Sequence, residues 1–214
     1  MQSDIAGIRK TYSQKTLSET DIEPNPNRQF DKWWQEAIAS EIDEVNAMTL
    51  ATASVDGVPS ARIVLLKGFS ENGFVFFTNY DSYKGKQLME NPKACLVFFW
   101  KELERQVRIT GIVQKTSEEE NDAYFYSRPI GSQVGASVSP QSTAIENREW
   151  LEARYNELEK KASESPIRRP DHWGGYLIKP VIMEFWQGRP SRLHDRIEYS
   201  LQENGSWKIE RLAP

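Results

Sequence analysis

Asp56-Gly57 lies between "AMTLATAS" and "PSARIVLLKGF", two runs rich in residues that favour extended backbone. Glycine accepts the positive φ that a tight hairpin loop needs, so the pair predicts two adjacent antiparallel strands. The device recurs along the chain. "GFVFFTN" follows the turn "SENG", "KACLVFFWK" and "RQVRITGIVQKT" flank "ELE", and "DRIEYSLQENGSWKIERLAP" folds back at "ENGS". With "WGGYLIKPVIMEFWQG", about six strands joined by hairpins predict an antiparallel barrel or sandwich with helices at its edges. The fold class is mainly β with peripheral helices (α+β). Strands do not alternate regularly with helices, and neither G-x-G-x-x-G nor G-x-x-x-x-G-K-[ST] follows a strand. Rossmann and P-loop nucleotide sites are therefore disfavoured.

The helices punctuate this pattern. Phe30, Trp33, Trp34, Ala37, Ile38, Ile42 and Val45 keep a near-3.6 spacing and predict a helix through Asn46. "DSYKGKQLMEN" predicts a short helix capped by Asp81 or Ser82. Ser117 and Glu120 form a capping box that starts a helix carrying Tyr124, Tyr126 and Arg128, stopped by Pro129. "PIGSQVGASVSPQS" reads as a loop or short helix. "ENREWLEARYNELEKKA" reads as an amphipathic helix burying Trp150, Leu151, Tyr155 and Leu158. Residues 1–28 read as a flexible arm, and 29–214 as one domain.

Lys and Arg number 27 against 31 Asp and Glu, a net charge of -4. That balance argues against a general nucleic-acid or membrane-surface binder, whose field should be positive. Any anion must be held by local clusters. Cys95 is the only cysteine, which rules out an intrachain disulfide and a multi-cysteine metal site; in its apolar run it reads as a buried small hydrophobe. No apolar run approaches the roughly 20 residues that span a bilayer, and the start lacks the apolar core of a secretory signal. A cytoplasmic location is expected.

Several segments concentrate polar chemistry. "FWQGRPSRLHDRIEY" crowds Arg189, Arg192 and Arg196 around His194, with Trp186 beside them. A surface turn needs none of this; a pocket for a small anion does. "RIVLLK" sets Arg62 and Lys67 at an odd offset, which on a strand points them to opposite faces; strand-end charge and ligand contact are both open readings. "FFTNYDSYKGK" joins Thr78 to a helix start and Lys84, either a phosphate site or an ordinary capped helix. Gln106 shares a strand face with Arg108. Tyr124, Arg128 and Ser132 make a small phosphate cup or a routine cation–π packing. "PQS" adds Gln141 and Ser142. His172, in a loop without a second ligand nearby, reads as structural. No metal-binding or hydrolase motif is present.

Taken in order, "RIVLLKGF", "FFTNYDSYKGKQL", "RQVRITG", "YFYSRPIGSQVGA", "SPQS" and "FWQGRPSRLHDR" resemble the pyridoxine (pyridoxamine) 5′-phosphate oxidase family, from about Arg9 to Pro214. The resemblance implies a split β-barrel homodimer with FMN in clefts between subunits. It places flavin contacts on Arg62, Ile63, Val64, Leu65, Leu66, Lys67, Phe77, Thr78, Lys84, Gln106, Gln141, Ser142, Trp186 and Arg196. Substrate contacts fall on Lys67, Tyr124, Arg128, Ser132, Arg192, Leu193 and His194, with Arg192 and His194 as the catalytic pair. Arg9, Lys10, Thr11 and Tyr12 match a segment that folds over the substrate as a lid. The implied reaction is oxidation of pyridoxine or pyridoxamine 5′-phosphate to pyridoxal 5′-phosphate by O2, with hydrogen peroxide as the second product and ammonia released from the amine. No metal is implied. The chain departs from the family at "SYKG", where the family usually reads "SRKG": Tyr83 replaces an arginine that contacts the FMN phosphate. Tyr offers one hydrogen bond and no charge, so weaker FMN retention, or compensation by Lys84 and Lys86, is expected.

Overall fold

The computed structural model describes residues 5–7 and 10–214. Within them the strands are β1 (Ala47–Ala53), β2 (Pro59–Leu65), β3 (Gly68–Ser70), β4 (Gly73–Asn79), β5 (Lys93–Trp100), β6 (Arg105–Lys115), β7 (Trp173–Gln187), β8 (Asp195–Leu201) and β9 (Trp207–Arg211). The helices are α1 (Pro26–Ala39), α2 (Tyr83–Glu90), α3 (Glu118–Ser127), α4 (Ile130–Val138) and α5 (Arg148–Ala162). Strand neighbours follow the order β2-β1-β5-β6-β7-β4-β3, with β8 on β7 and β9 on β8. The mainly β, helix-flanked class is what the hairpin pattern predicts. The β1–β2 and β8–β9 turns hold Gly57 and Gly205 at φ 81° and 82°, the conformation for which glycine suits these places.

The chain divides into two compact units. The first comprises Met1–Thr49, Cys95–Thr110 and Pro180–Pro214. Its core is aromatic: Phe30 packs on Phe98 at 5.2 Å, Trp33 on Phe185 at 5.3 Å, and Phe185 on Tyr199 at 5.5 Å. Fully burying one such ring contributes roughly 1.5–3 kcal/mol. Arg105 is buried with its guanidinium 4.2 Å above Trp33, and it donates to Gln187 and Glu36. β7 residues Ile182–Gln187 pair antiparallel with β8, and β8 with β9.

The second unit comprises Leu50–Ala94 and Gly111–Lys179. Here β4 pairs with β3 and with Trp173–Ile178 of β7. Pro180, which has no N–H to give a ladder, falls between the two registered stretches of β7. Phe125, Val134, Val138, Ile167 and Trp173 form a buried cluster, with Leu151, Tyr155 and Leu158 of α5 partly covering it. The capping box at Ser117 and Glu120 is formed in both directions, and Ser82 caps α2.

Several expectations need correction. α1 begins at Pro26 because Asn25 caps it and proline fits the first turn. It stops at Ala39, since Ser40 closes it and Glu41 turns left-handed at φ 52°; Ile42 and Val45 keep the spacing without the helix. "PSARIVLLKGF" is two strands, not one: β2 ends at Leu65, and Lys67 N–H donates to Val75 O at 2.8 Å. α5 buries no residue fully, and Trp150 is only half-buried beneath the guanidinium of Arg154. Cys95 is half-buried rather than buried, because it lies on the face of β5 opposite Ala94, Leu96, Phe98 and Trp100.

Candidate active site

In the second unit a cavity of about 680 Å³ gathers about half of the site residues expected from the sequence. β2 supplies Arg62, Ile63, Val64 and Leu65, and Lys67 follows it. Arg62 and Lys67 were expected on opposite faces. They line one cavity because strand alternation ends at Leu65, before Lys67. β4 contributes Phe77 and Thr78, α2 contributes Lys84, and Tyr124, Arg128, Ser132 and Gln141 close the ring. Arg128 is not on the helical face of Tyr124 as its spacing suggests. It is the C-cap of α3 with extended backbone, yet both side chains reach the same space.

The walls are aromatic and the polar groups cationic. Phe77, Tyr124 and Trp173 form a cluster of near-parallel rings, with Phe77 4.1 Å from Tyr124 and 5.5 Å from Trp173, and Tyr124 6.0 Å from Trp173. Arg128 sits 4.8 Å over the Trp173 ring, and Lys67 Nζ lies 6.0 Å from that of Tyr124. Lys84 is buried; its ammonium donates to Gln141 Oε1 at 2.8 Å and Thr78 Oγ1 at 3.3 Å. Burial, with help from the Arg62 charge, pushes Lys84 down to a pKa of about 8. Arg62 donates to Thr52 Oγ1, Ser60 Oγ and Leu50 O. Arg128 Nη1 is buried without a hydrogen-bond partner among the described residues. Among the described residues no Asp or Glu lines the cavity. Four cations, an orphaned guanidinium N–H and no carboxylate among the described residues are chemically suited to a phosphorylated ligand.

In the first unit a second cavity of about 540 Å³ is lined by Lys10, Thr11, Tyr12, Arg189, Ser191, Arg192 and His194. Arg9, expected beside them, lies outside the described residues. Trp186 packs 4.6 Å from the His194 ring, and Tyr12 stands edge-on to Trp186 at 5.7 Å. The N–H of Arg189 donates to His194 Nδ1 at 3.1 Å, so neutral His194 carries its proton on Nε2. Burial, and then the Arg192 charge, lower its pKa, while Asp195 opposes them. Ser191 and Arg192 are both left-handed, at φ 57° and 63°, a strained turn that presents Arg192 to solvent. Arg196 is held by buried Glu184 through two hydrogen bonds of 2.9 and 3.1 Å, and Arg108 shares that carboxylate at 3.2 Å.

Some expected residues lie outside both cavities. Leu66 is buried in the core. Tyr83 is exposed at the first turn of α2. Ser142 is exposed with φ 69°, and Leu193 is 69% exposed. Gln106 and Arg108 share a β6 face, as expected. Lys86 is exposed, two residues round α2 from Lys84. Sequence reasoning missed Asn79, Pro129, Gly135, Ala136, Ser139 and Trp173. Ser132, Gly135, Ala136 and Ser139 repeat at helical spacing, and that run of small residues was the available signal. Among the described residues no group of His, Cys, Asp and Glu could hold a metal, and no helix is long and apolar enough to cross a membrane.

A family model described as pyridoxamine 5′-phosphate oxidase matches residues 34–162, and one described as the pyridoxine 5′-phosphate oxidase C-terminal dimerisation region matches 173–214. The chain belongs to the pyridoxine/pyridoxamine 5′-phosphate oxidase family. It is therefore an oxidoreductase. It is 56% identical over 214 residues, all of both chains, to "Pyridoxine/pyridoxamine 5′-phosphate oxidase" of Trichormus variabilis. It is 57% identical over 212 residues to the protein of that name from Paraburkholderia phymatum, covering 99% of this chain and 100% of that one. Among solved structures, PhzG of Burkholderia lata, in complex with tetrahydrophenazine-1-carboxylic acid, matches with a TM-score of 0.88 and 32% identity, over 94% of this chain and 100% of that one. A pyridoxamine 5′-phosphate oxidase-related, FMN binding protein of Nostoc punctiforme matches with a TM-score of 0.71 at 17% identity, over 90% of this chain and 100% of that one, a likeness of fold. The family's split-barrel fold is that of this chain.

Proposed function

We propose that this chain is an FMN-dependent oxidase that converts pyridoxine 5′-phosphate or pyridoxamine 5′-phosphate to pyridoxal 5′-phosphate. The observation that carries the proposal is the second unit's cavity: four cations against an aromatic wall, with no carboxylate lining it among the described residues. A phosphate brings about -1.5 to -2 charge at neutral pH, which a carboxylate-lined pocket would repel. The residues fit a phosphorylated flavin. Arg62, Lys67 and Lys84, with Thr78 and Gln141, would hold it along the Ile63–Leu65 backbone; Tyr124, Arg128 and Ser132 would take the substrate phosphate.

The site is read as completed by a second copy of the chain. The match to a dimerisation region covers the segment bearing Trp186, Arg192, Leu193, His194 and Arg196; with Gln106, these would face the flavin and substrate ring across a homodimer seam. Residues 1–28 are read as the lid of that site and 29–214 as its FMN-binding domain, in a cytoplasmic enzyme. When bound, FMN supplies the two-electron acceptor, which O2 regenerates with release of hydrogen peroxide. The chain's own residues supply position and charge. Arg192 offers an always-charged donor to the substrate ring. His194, neutral near pH 7 with its proton on Nε2, would donate a hydrogen bond there rather than accept one. The alcohol gives the aldehyde directly; the amine gives an imine, which water hydrolyses to the same aldehyde and ammonia.

The test is spectroscopic. Purified protein should be yellow, bleach anaerobically with pyridoxamine 5′-phosphate, and recover its colour in air while forming peroxide. A flavin that stays oxidised with both phosphorylated substrates would overturn the reading.

A further inference from the structure

The turn between β5 and β6 sets Glu104 in the left-handed region at φ 54°, with its side chain 3% exposed. A carboxylate removed from water this far needs close donors. Among the described residues all of them come from the N-terminal arm. Ser13 and Gln14 donate their backbone N–H groups at 2.8 and 3.1 Å, and Lys10 Nζ lies 3.2 Å away. Burial works to raise the Glu104 pKa, but these three donors together bring it below the usual carboxylate range.

The main chain of the same residue holds the other side of the cavity. Glu104 O accepts from Gly188 N–H at 2.7 Å, at the start of the segment that bears Arg189, Arg192 and His194. Tyr12 lies among the clasped arm residues, edge-on to Trp186 and 6.0 Å from the His194 ring. A Cβ at Gly188 would strike the Tyr12 ring. Two further ties continue the path: Arg189 Nη1 donates to Lys15 O at 3.3 Å, and Leu17 N–H to Asp195 Oδ2 at 3.1 Å.

We propose that Glu104 is a positioning residue that holds the arm closed, so that Tyr12 walls the Arg192–His194 cavity. The role in turnover rests on the function proposed above; the closure itself does not. Glu104→Gln keeps the side chain's size and one carbonyl oxygen, and loses the charge that holds Lys10. In the FMN-loaded variant, tryptic cleavage after Lys10 and Lys15 should run about tenfold faster than in the parent, because cleavage follows the population of the open form. Flavin content should be unchanged, and KM for pyridoxine 5′-phosphate should rise about fivefold with kcat within about twofold. Arm protection equal to the parent's would overturn the proposal. So would cleavage spread along the whole chain with early flavin loss, which marks a residue needed for folding. If the parent turns over neither phosphorylated substrate, the functional reading fails while the protease comparison still decides the role of Glu104.

Discussion

Lys84 shows how one side chain joins burial to ligand chemistry. Removing its ammonium from water favours the neutral form, so in the folded protein it titrates at about 8, against an ordinary value of about 10.4. A phosphate beside it favours the charged form. Above pH 8 binding must therefore draw in a proton, and FMN affinity should fall as pH rises, by up to about tenfold per pH unit. Below that pH Lys84 is already charged and contributes no slope. Flavin-fluorescence titrations across the window check this, with riboflavin, which lacks the phosphate, as the control; a flat FMN profile would remove Lys84 from the phosphate site. Tyr83, next to it, is exposed at the helix start. Tyr83→Arg should tighten FMN by about tenfold through a new charge-assisted pair, and an unchanged Kd would show that position 83 does not face the phosphate. The sequence exposed the charged members of the site because Arg, Lys and His stand out in apolar strands. It hid Gly135 and Ala136, which line the cavity with little side chain, and Glu104, whose partners lie some 90 positions away in the chain.

At the scale of elements, α2 delivers Lys84 only if it packs tightly. Gly85 lies against the backbone of Tyr80, and a Cβ there would run into the Tyr80 carbonyl. Gly85→Ala should lower stability by about 1–3 kcal/mol, the usual cost of overpacking, and should weaken FMN binding because α2 must shift. Urea unfolding of the apoprotein, set beside FMN affinity, measures both effects; wild-type values for both would show that the helix adjusts freely. What the sequence revealed at this scale follows from local chemistry. The Asp56-Gly57 turn and the Ser117 capping box act within four residues and were readable. The end of α1 was not, because Ile42 and Val45 keep a helical spacing past the Ser40 cap. The break after β2 was equally hidden: Leu66 continues the apolar run of Ile63–Leu65 while the backbone leaves the strand.

For the whole molecule, the net charge of -4 says little about the ligand, because the cations are sorted. Arg62, Lys67, Lys84 and Arg128 line one cavity and make no ion pair among the described residues, whereas Arg196 and Arg108 share Glu184 and Arg189 faces Asp195. A homodimer whose site draws Arg128 from one copy and Arg192 from the other makes a demand that no single-chain site makes. Arg128→Ala should lose turnover by weakening the hold on the substrate phosphate, and Arg192→Ala by leaving the substrate ring unheld. A mixed dimer of the two variants then contains one site with both substitutions and one with neither. Co-expressed with different tags and isolated as the mixed species, it should recover about half the wild-type rate per dimer, as two-fold symmetry requires. Were both arginines supplied by one chain, each site of the mixed dimer would carry one substitution, and the rate would stay at the level of the separate variants.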